Sequence, residues 1–169
     1  MMGFKRKKIL FLIGFMCPIL SFAQKDLDSI IFENRSKIFD QPDTVVQVVE
    51  NILIQAKDIE TIIQAHLLIS NAYLSKRENN KSLEHTLKVE ELVKKIINSN
   101  TKAKVLNAIG MQYQQLRIYN KSIDYLDQAL LEIKKVETSQ DVHNALAYNY
   151  TIRGFVYREQ MSCEIALTY

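Results

Sequence analysis

Three times along the chain a small residue stands three positions before a tyrosine and twelve before a second small residue. The sets are Ser70, Tyr73 and Ser82; Gly110, Tyr113 and Ser122; and Gly154, Tyr157 and Ala166. A repeated offset means one supersecondary unit copied in tandem, and two antiparallel helices fit the spacing. The small residue of the first helix lets the second approach closely, and the second small residue receives that contact from the other side. The tyrosine, one turn on, fills the gap between hairpins. The predicted fold is all-α: an α-solenoid of antiparallel helix hairpins, a shape that offers a surface for binding and no enclosed site for chemistry.

Composition agrees with helices throughout. The chain has 4 glycines, 2 prolines and no tryptophan in 169 residues, and its apolar residues recur at three- and four-residue steps. Leu27, Ile30, Ile31, Ile38 and Phe39 mark a first helix and Val45, Val48, Val49, Ile52 and Ala56 a second. Pro42 disfavours helix at Gln41, and Asp43 is placed to cap the second helix. These two form a divergent hairpin over residues 24–58. Repeats then occupy 59–169, at about 60–98, 102–138 and 141–169, the last expected to turn between 158 and 162. Linkers are short and polar, with Asn80 and Asn100 or Thr101 as candidate N-caps. A single domain is expected.

The repeated residues resemble the tetratricopeptide repeat (TPR), whose pattern is W-x2-L-G-x2-Y followed by A-x3-F. The middle copy reads Leu106, Ile109, Gly110, Tyr113, Ser122, Leu126 and Ala129. The last reads Tyr150, Arg153, Gly154, Tyr157 and Ala166, with Arg153 at a normally apolar position. The first reads His66, Ile69, Ser70, Tyr73, Ser82 and Thr86. Gly110 lies 40 positions after Ser70, and Gly154 lies 44 after Gly110, against about 34 in the ordinary repeat. The extra residues lengthen helices or loops by a turn or two, as in bacterial sensory versions of the family.

The resemblance implies where a ligand would lie. In the family, the positions at offsets −3, +1 and +4 from the small residue of each first helix line a concave groove. Carried onto this chain, they are Leu67, Asn71 and Leu74; Asn107, Met111 and Gln114; and Thr151, Phe155 and Arg158. Amides there can pair with an extended peptide backbone, and Met111 and Phe155 can accept an apolar side chain. The expected partner is a protein or peptide. The family's carboxylate-clamp pattern of lysines, asparagines and arginine is not reproduced, so capture of a C-terminal carboxylate is not expected.

Residues 1–23 read as a separate object. Lys5, Arg6, Lys7 and Lys8 precede an apolar run from Ile9 to Leu20, and Ser21-Phe22-Ala23 places small residues at −3 and −1 of a cleavage site. That is the form of a secretory signal peptide. The run of 12 residues is short of the ~20 that a spanning helix needs. Cys17 lacks a lipobox before it and is followed by Pro18. Export to the periplasm or cell envelope is expected, with membrane contact only through this segment or a downstream helix. Its removal takes 4 of the 22 basic residues and none of the 19 acidic ones, leaving 18 against 19. A nucleic-acid surface needs a basic excess to displace counterions from phosphate, so contact with nucleic acid is not expected. Cys163 would be the one cysteine left and reads as a buried small residue.

No catalytic constellation emerges: phosphate-binding, dinucleotide, zinc-protease and nucleophile-elbow motifs are all missing. No enzyme activity, cofactor or metal is expected. His66 reads as a structural histidine between helices, His85 as exposed beside Glu84, and Glu90-Glu91 as solvated charge. The chain stops at Tyr169, three residues after Ala166 and inside the apolar stripe Ile165-Ala166-Leu167, where a solenoid would carry a polar capping helix. It is therefore expected to be the N-terminal part of a longer protein. The layout resembles the periplasmic sensory region of bacterial membrane-bound regulators with a helix-turn-helix domain of the arabinose-regulator type. The sensor region of a histidine kinase and a free-standing periplasmic adaptor are the alternatives.

Overall fold

A computed structural model describes residues 27–167, with side chains as far as Met161. The expected signal peptide and the side chains of Cys163 and Ala166 lie outside the described residues. Every regular element among the described residues is helical. α1 covers 27–35; α2 runs Pro42–Gln55, α3 Ile59–Ser75, α4 Asn79–Val93, α5 Ser99–Gln115, α6 Tyr119–Ile133 and α7 Gln140–Leu167. None is long and apolar enough to cross a membrane.

Local chemistry sets the helix starts. Pro42 is itself the first residue of α2, where its ring is pre-organised for a helix and its missing N–H costs nothing. Asp43 is accordingly a first-turn acid, not a cap. Asp58 caps α3 by accepting the Thr61 N–H at 2.9 Å, and Asn98 caps α5 by accepting the Thr101 N–H at 3.0 Å. Ser139 does the same at the start of α7, accepting from Val142 at 3.3 Å. Asn80 and Asn100 instead lie within the first turns of α4 and α5.

Helix ends are as specific. α3 and α5 terminate on Arg77 and Arg117, both left-handed at φ 61°. Each closes a Schellman motif: Glu78 N–H bonds Tyr73 C=O at 2.9 Å and Ile118 N–H bonds Tyr113 C=O at 2.8 Å. The third turn expected between 158 and 162 does not form, and α7 continues through it as one helix of 28 residues. From Arg158 to Glu164 the chain offers no Gly, Pro or Asn to stop it.

Each first helix packs on the second helix of its own hairpin and on the first helix of the next: α3 on α4 and α5, α5 on α6 and α7. Successive first helices run parallel. Ser70 meets Gln112, Asn107 meets Asn149, and Lys104 meets Asp141, pairs separated by a near-constant distance in sequence. The core is chained accordingly. Ile31, Val49, Ile52 and Ile69 join α1, α2 and α3; Ile63, Val89, Ile109 and Ala129 join α3 to α6; and Ala103, Ile133, Val142 and Ala145 seat α7.

The spatial period is 40, not 44. Ala65, Val105 and Ala145 are buried in equivalent places, as are Ile69, Ile109 and Asn149. The caps agree: Ser70 and Gly110 each follow their cap by 12 residues, but Gly154 follows Ser139 by 15. About one extra turn at the start of α7 moves its motif out of register. Gly154 and Tyr157 are consequently exposed, Tyr157 by 52%, and do not repeat the contacts of Gly110 and Tyr113.

Candidate binding cleft

The small-residue contacts form in the first two hairpins. A Cβ on Gly110 would stand 2.8 Å from Leu126 Cγ, and Ser122 Oγ donates to Gly110 C=O at 2.7 Å. In the first hairpin serines replace glycine, so the contact becomes polar. Ser70 Oγ lies 2.9 Å from Ser82 Oγ and 3.1 Å from Thr86 Oγ1, and donates to Gln112 Oε1 at 2.9 Å. All buried side-chain nitrogens and oxygens among the described residues have a partner. Such satisfaction matters because one orphaned group would cost about 1–3 kcal/mol.

Tyr113 fills its gap completely, being 0% exposed. Its hydroxyl donates to Glu90 of α4, its ring stacks on Tyr125 of α6 at 5.7 Å, and Lys121 Nζ stands 4.8 Å from its centroid. Burial and the Glu90 carboxylate push both phenols well above the ordinary tyrosine range. Glu90 is thus half-buried and bonded, not solvated; Glu91 is exposed. Tyr73 is only half-buried, with Lys81 Nζ 5.2 Å from its centroid. His85, expected at the surface, turns inward: its Nδ1 lies 3.1 Å from His66 Nδ1, with Tyr73 5.8 Å away. Burial, and the neighbouring Lys88, lower both imidazoles to about 4, the His85 ring adding to the effect at His66.

A cleft of about 360 Å³ opens where α1, α3, α5 and α7 meet. Ile38, Leu67, Leu68, Ala108, Met111 and Tyr148 give it apolar walls, and Gln64, Asn71 and Gln112 bring amides. Arg35 is the charged residue in this lining, its Nη2 donating to Gln64 Oε1 at 2.8 Å. Gln112 is held at both ends, donating to Asn71 Oδ1 at 2.9 Å while accepting from Ser70. The Tyr148 hydroxyl meets the Met111 sulfur, and burial raises the phenol's pKa.

Of the nine groove positions implied by the resemblance, Leu67, Asn71 and Met111 line this cleft. Leu74 is half-buried elsewhere on α3. Asn107 is consumed by the α5–α7 seam, donating to Ala145 C=O at 2.9 Å and accepting from Asn149 at 2.7 Å. Gln114 is buried and donates to Glu159 Oε1 at 3.0 Å. Thr151 is exposed and bonds back to Ala147 C=O, while Phe155 is 40% exposed beneath the Arg158 guanidinium at 5.0 Å. The shift of α7 by one turn explains the last three.

Leu68, Ala108 and Tyr148 belong to none of the motif positions, although they stand 40 residues apart, one on each first helix. A constant period of 40 is the signal that would find them. Arg35 carries no sequence signal, and Ile38 and Phe39, expected on the first helix, lie in the turn at 36–40 beyond the end of α1. Among the described residues no group of three or more His, Cys, Asp or Glu is placed to hold a metal. Compared with family models, curated proteins and solved structures, the chain matches none of them.

Proposed function

We propose that the chain is a TPR-like right-handed α-solenoid whose cleft binds a segment of a protein or peptide. The observation that carries this reading is the lining of the cleft by repeat-equivalent residues of three parallel helices, Leu68, Ala108 and Tyr148. Apolar walls suit a buried aliphatic side chain, and amides beside them suit a peptide backbone. Such a surface recognises an extended segment in preference to a rigid small molecule. The signal-peptide pattern of residues 1–23, and the likeness in layout to periplasmic sensory regions, support placing this recognition outside the cytoplasm, in a longer signalling or transcription-regulatory protein.

Selection from a random peptide library, followed by fluorescence anisotropy on the selected sequences, tests the reading. Met111→Lys places a charge in the apolar wall and is expected to weaken binding by at least tenfold, or ~1.4 kcal/mol, without changing the melting temperature by more than a few degrees. Selected peptides that bind wild type and Met111→Lys equally would remove the cleft from consideration. Fusion of the first 58 residues to a reporter active only outside the cytoplasm tests export separately.

A further inference from the structure

His66 of α3 and His85 of α4 face each other across the first hairpin. Their Nδ1 atoms stand 3.1 Å apart, and the rings meet at 61° without stacking. The second hairpin does without such a pair. Forty positions on, the same places hold Leu106, which is buried, and Tyr125. The equivalence is geometric as well: His85 stands 5.8 Å from Tyr73, and Tyr125 stands 5.7 Å from Tyr113. An aliphatic residue and a phenol therefore satisfy this junction, so packing between the two helices does not require two imidazoles.

We propose that His66 and His85 form a binding site for a late first-row divalent metal ion, copper(II) above all, with solvent oxygens completing its coordination. At a metal–nitrogen distance of about 2.0–2.1 Å, two nitrogens 3.1 Å apart subtend roughly 95–100° at the ion. That is a cis pair in a tetragonal field of nitrogen and oxygen, the field that copper(II) favours. Imidazole is a ligand suited to this ion, which also stands highest in the affinity order of the divalent metals. Calcium and magnesium, which take oxygen ligands, do not match a pair of ring nitrogens.

Protonation does not compete with the ion. Both rings take up protons only near pH 4, so at neutral pH a metal has no bound proton to displace from the pair. In the ion-free pair one Nδ1 carries the hydrogen that bonds to the other. Moving it to Nε2 frees both Nδ1 lone pairs and leaves each imidazole neutral. Each ring is only half-buried, which leaves room at the ion for water. The two ligands come from packed helices, so their separation is set before the ion arrives. Lys88, which is exposed, opposes the charge of the ion, and salt screens that repulsion.

Titration of the tag-free chain with copper(II), followed by pulsed electron paramagnetic resonance, tests the site. The wild type is expected to bind the ion with a Kd of ~10 µM or below, its spectrum modulated by the remote nitrogens of two imidazoles. His66→Leu and His85→Phe, which follow the filling of the second hairpin, should keep the helical circular dichroism spectrum and weaken binding at least ~tenfold. His143→Ala should leave both affinity and spectrum unchanged. The imidazole count is read on the wild type, so it stands even where a variant folds poorly. Fewer than two imidazoles at the bound ion, copper held equally by both variants, or copper lost with His143→Ala would each overturn the proposal.

Discussion

Gly110 and Gly154 occupy the same place in the same motif, yet their surroundings are opposite. A Cβ at Gly110 would come within 2.8 Å of Leu126 Cγ and 3.3 Å of the Ser122 carbonyl, whereas Gly154 faces open space. The motif alone predicts that a leucine at either glycine would force the helices apart, and the geometry supports this only for Gly110. Gly110→Ala is expected to cost ~1–3 kcal/mol through overpacking, while Gly154→Ala should stabilise the fold by ~0.5–1 kcal/mol through helix propensity. Urea unfolding of the two variants side by side checks the sign of each. The His66–His85 contact makes a pH prediction. Both folded-state values are lowered, from 6.5 to about 4, so the unfolded chain binds more protons between those values. Stability contributed by the pair is present above pH 6.5 and is lost as pH falls toward 4. Because both rings are half exposed, the loss should be only ~2 kcal/mol, well below the full linkage value. His66→Leu combined with His85→Leu should flatten this part of the stability–pH curve; an unchanged slope would assign it to carboxylates.

The elements owe their limits to end chemistry more than to propensity. α3 and α5 stop because Arg77 and Arg117 accept the left-handed conformation that glycine adopts more cheaply. Ile118, the residue after Arg117, packs in the same cluster as Tyr113, the apolar contact that usually accompanies a Schellman closure. Arg117→Gly should therefore raise stability, by ~0.5 kcal/mol once glycine's greater unfolded-state freedom is subtracted from the strain relieved. Thermal melts monitored at 222 nm would show it, and a lower melting temperature would mean that the arginine side chain makes a compensating contact. α7 shows the same rule from the other side. Without a residue suited to a left-handed terminator, and with helix formers from Arg158 onward, it runs on through the position of the expected third hairpin turn. α1 and α2 lack the repeat motif, but they bury Ile31, Val45, Val49 and Ile52 against α3 and so complete the first cluster of the core.

At the scale of the whole molecule, the first helices are held together by a buried polar seam as well as by apolar packing. Ser70, Gln112 and Asn71 bridge α3 to α5, and Asn107 with Asn149 bridges α5 to α7. Asn149 also donates to Leu126 C=O at 2.8 Å, tying α6 into the same junction. Asn107→Ala should cost ~2 kcal/mol, because it deprives Ala145 C=O and one Asn149 proton of their buried partners; a loss below ~0.5 kcal/mol would mean that water replaces both bonds. These seams position α3, α5 and α7 side by side, and the cleft lies along them. The helical period, the small–tyrosine–small offsets and the polar linkers are local properties. They are enough to make the described residues helical, to place most of the helices, and to mark Gly110 and Tyr113 as contact residues. Leu67, Asn71 and Met111 are reached only through the groove positions that the family resemblance implies, not through these local properties. The phase of α7 is settled by packing instead. Two registers one turn apart are both compatible with its sequence, and the choice falls to the one that buries Val142, Ala145, Ile152 and Val156 together. That choice is made by non-local apolar contacts, which no local spacing encodes. It turns Tyr148 into the cleft and leaves Gly154 and Tyr157 at the surface.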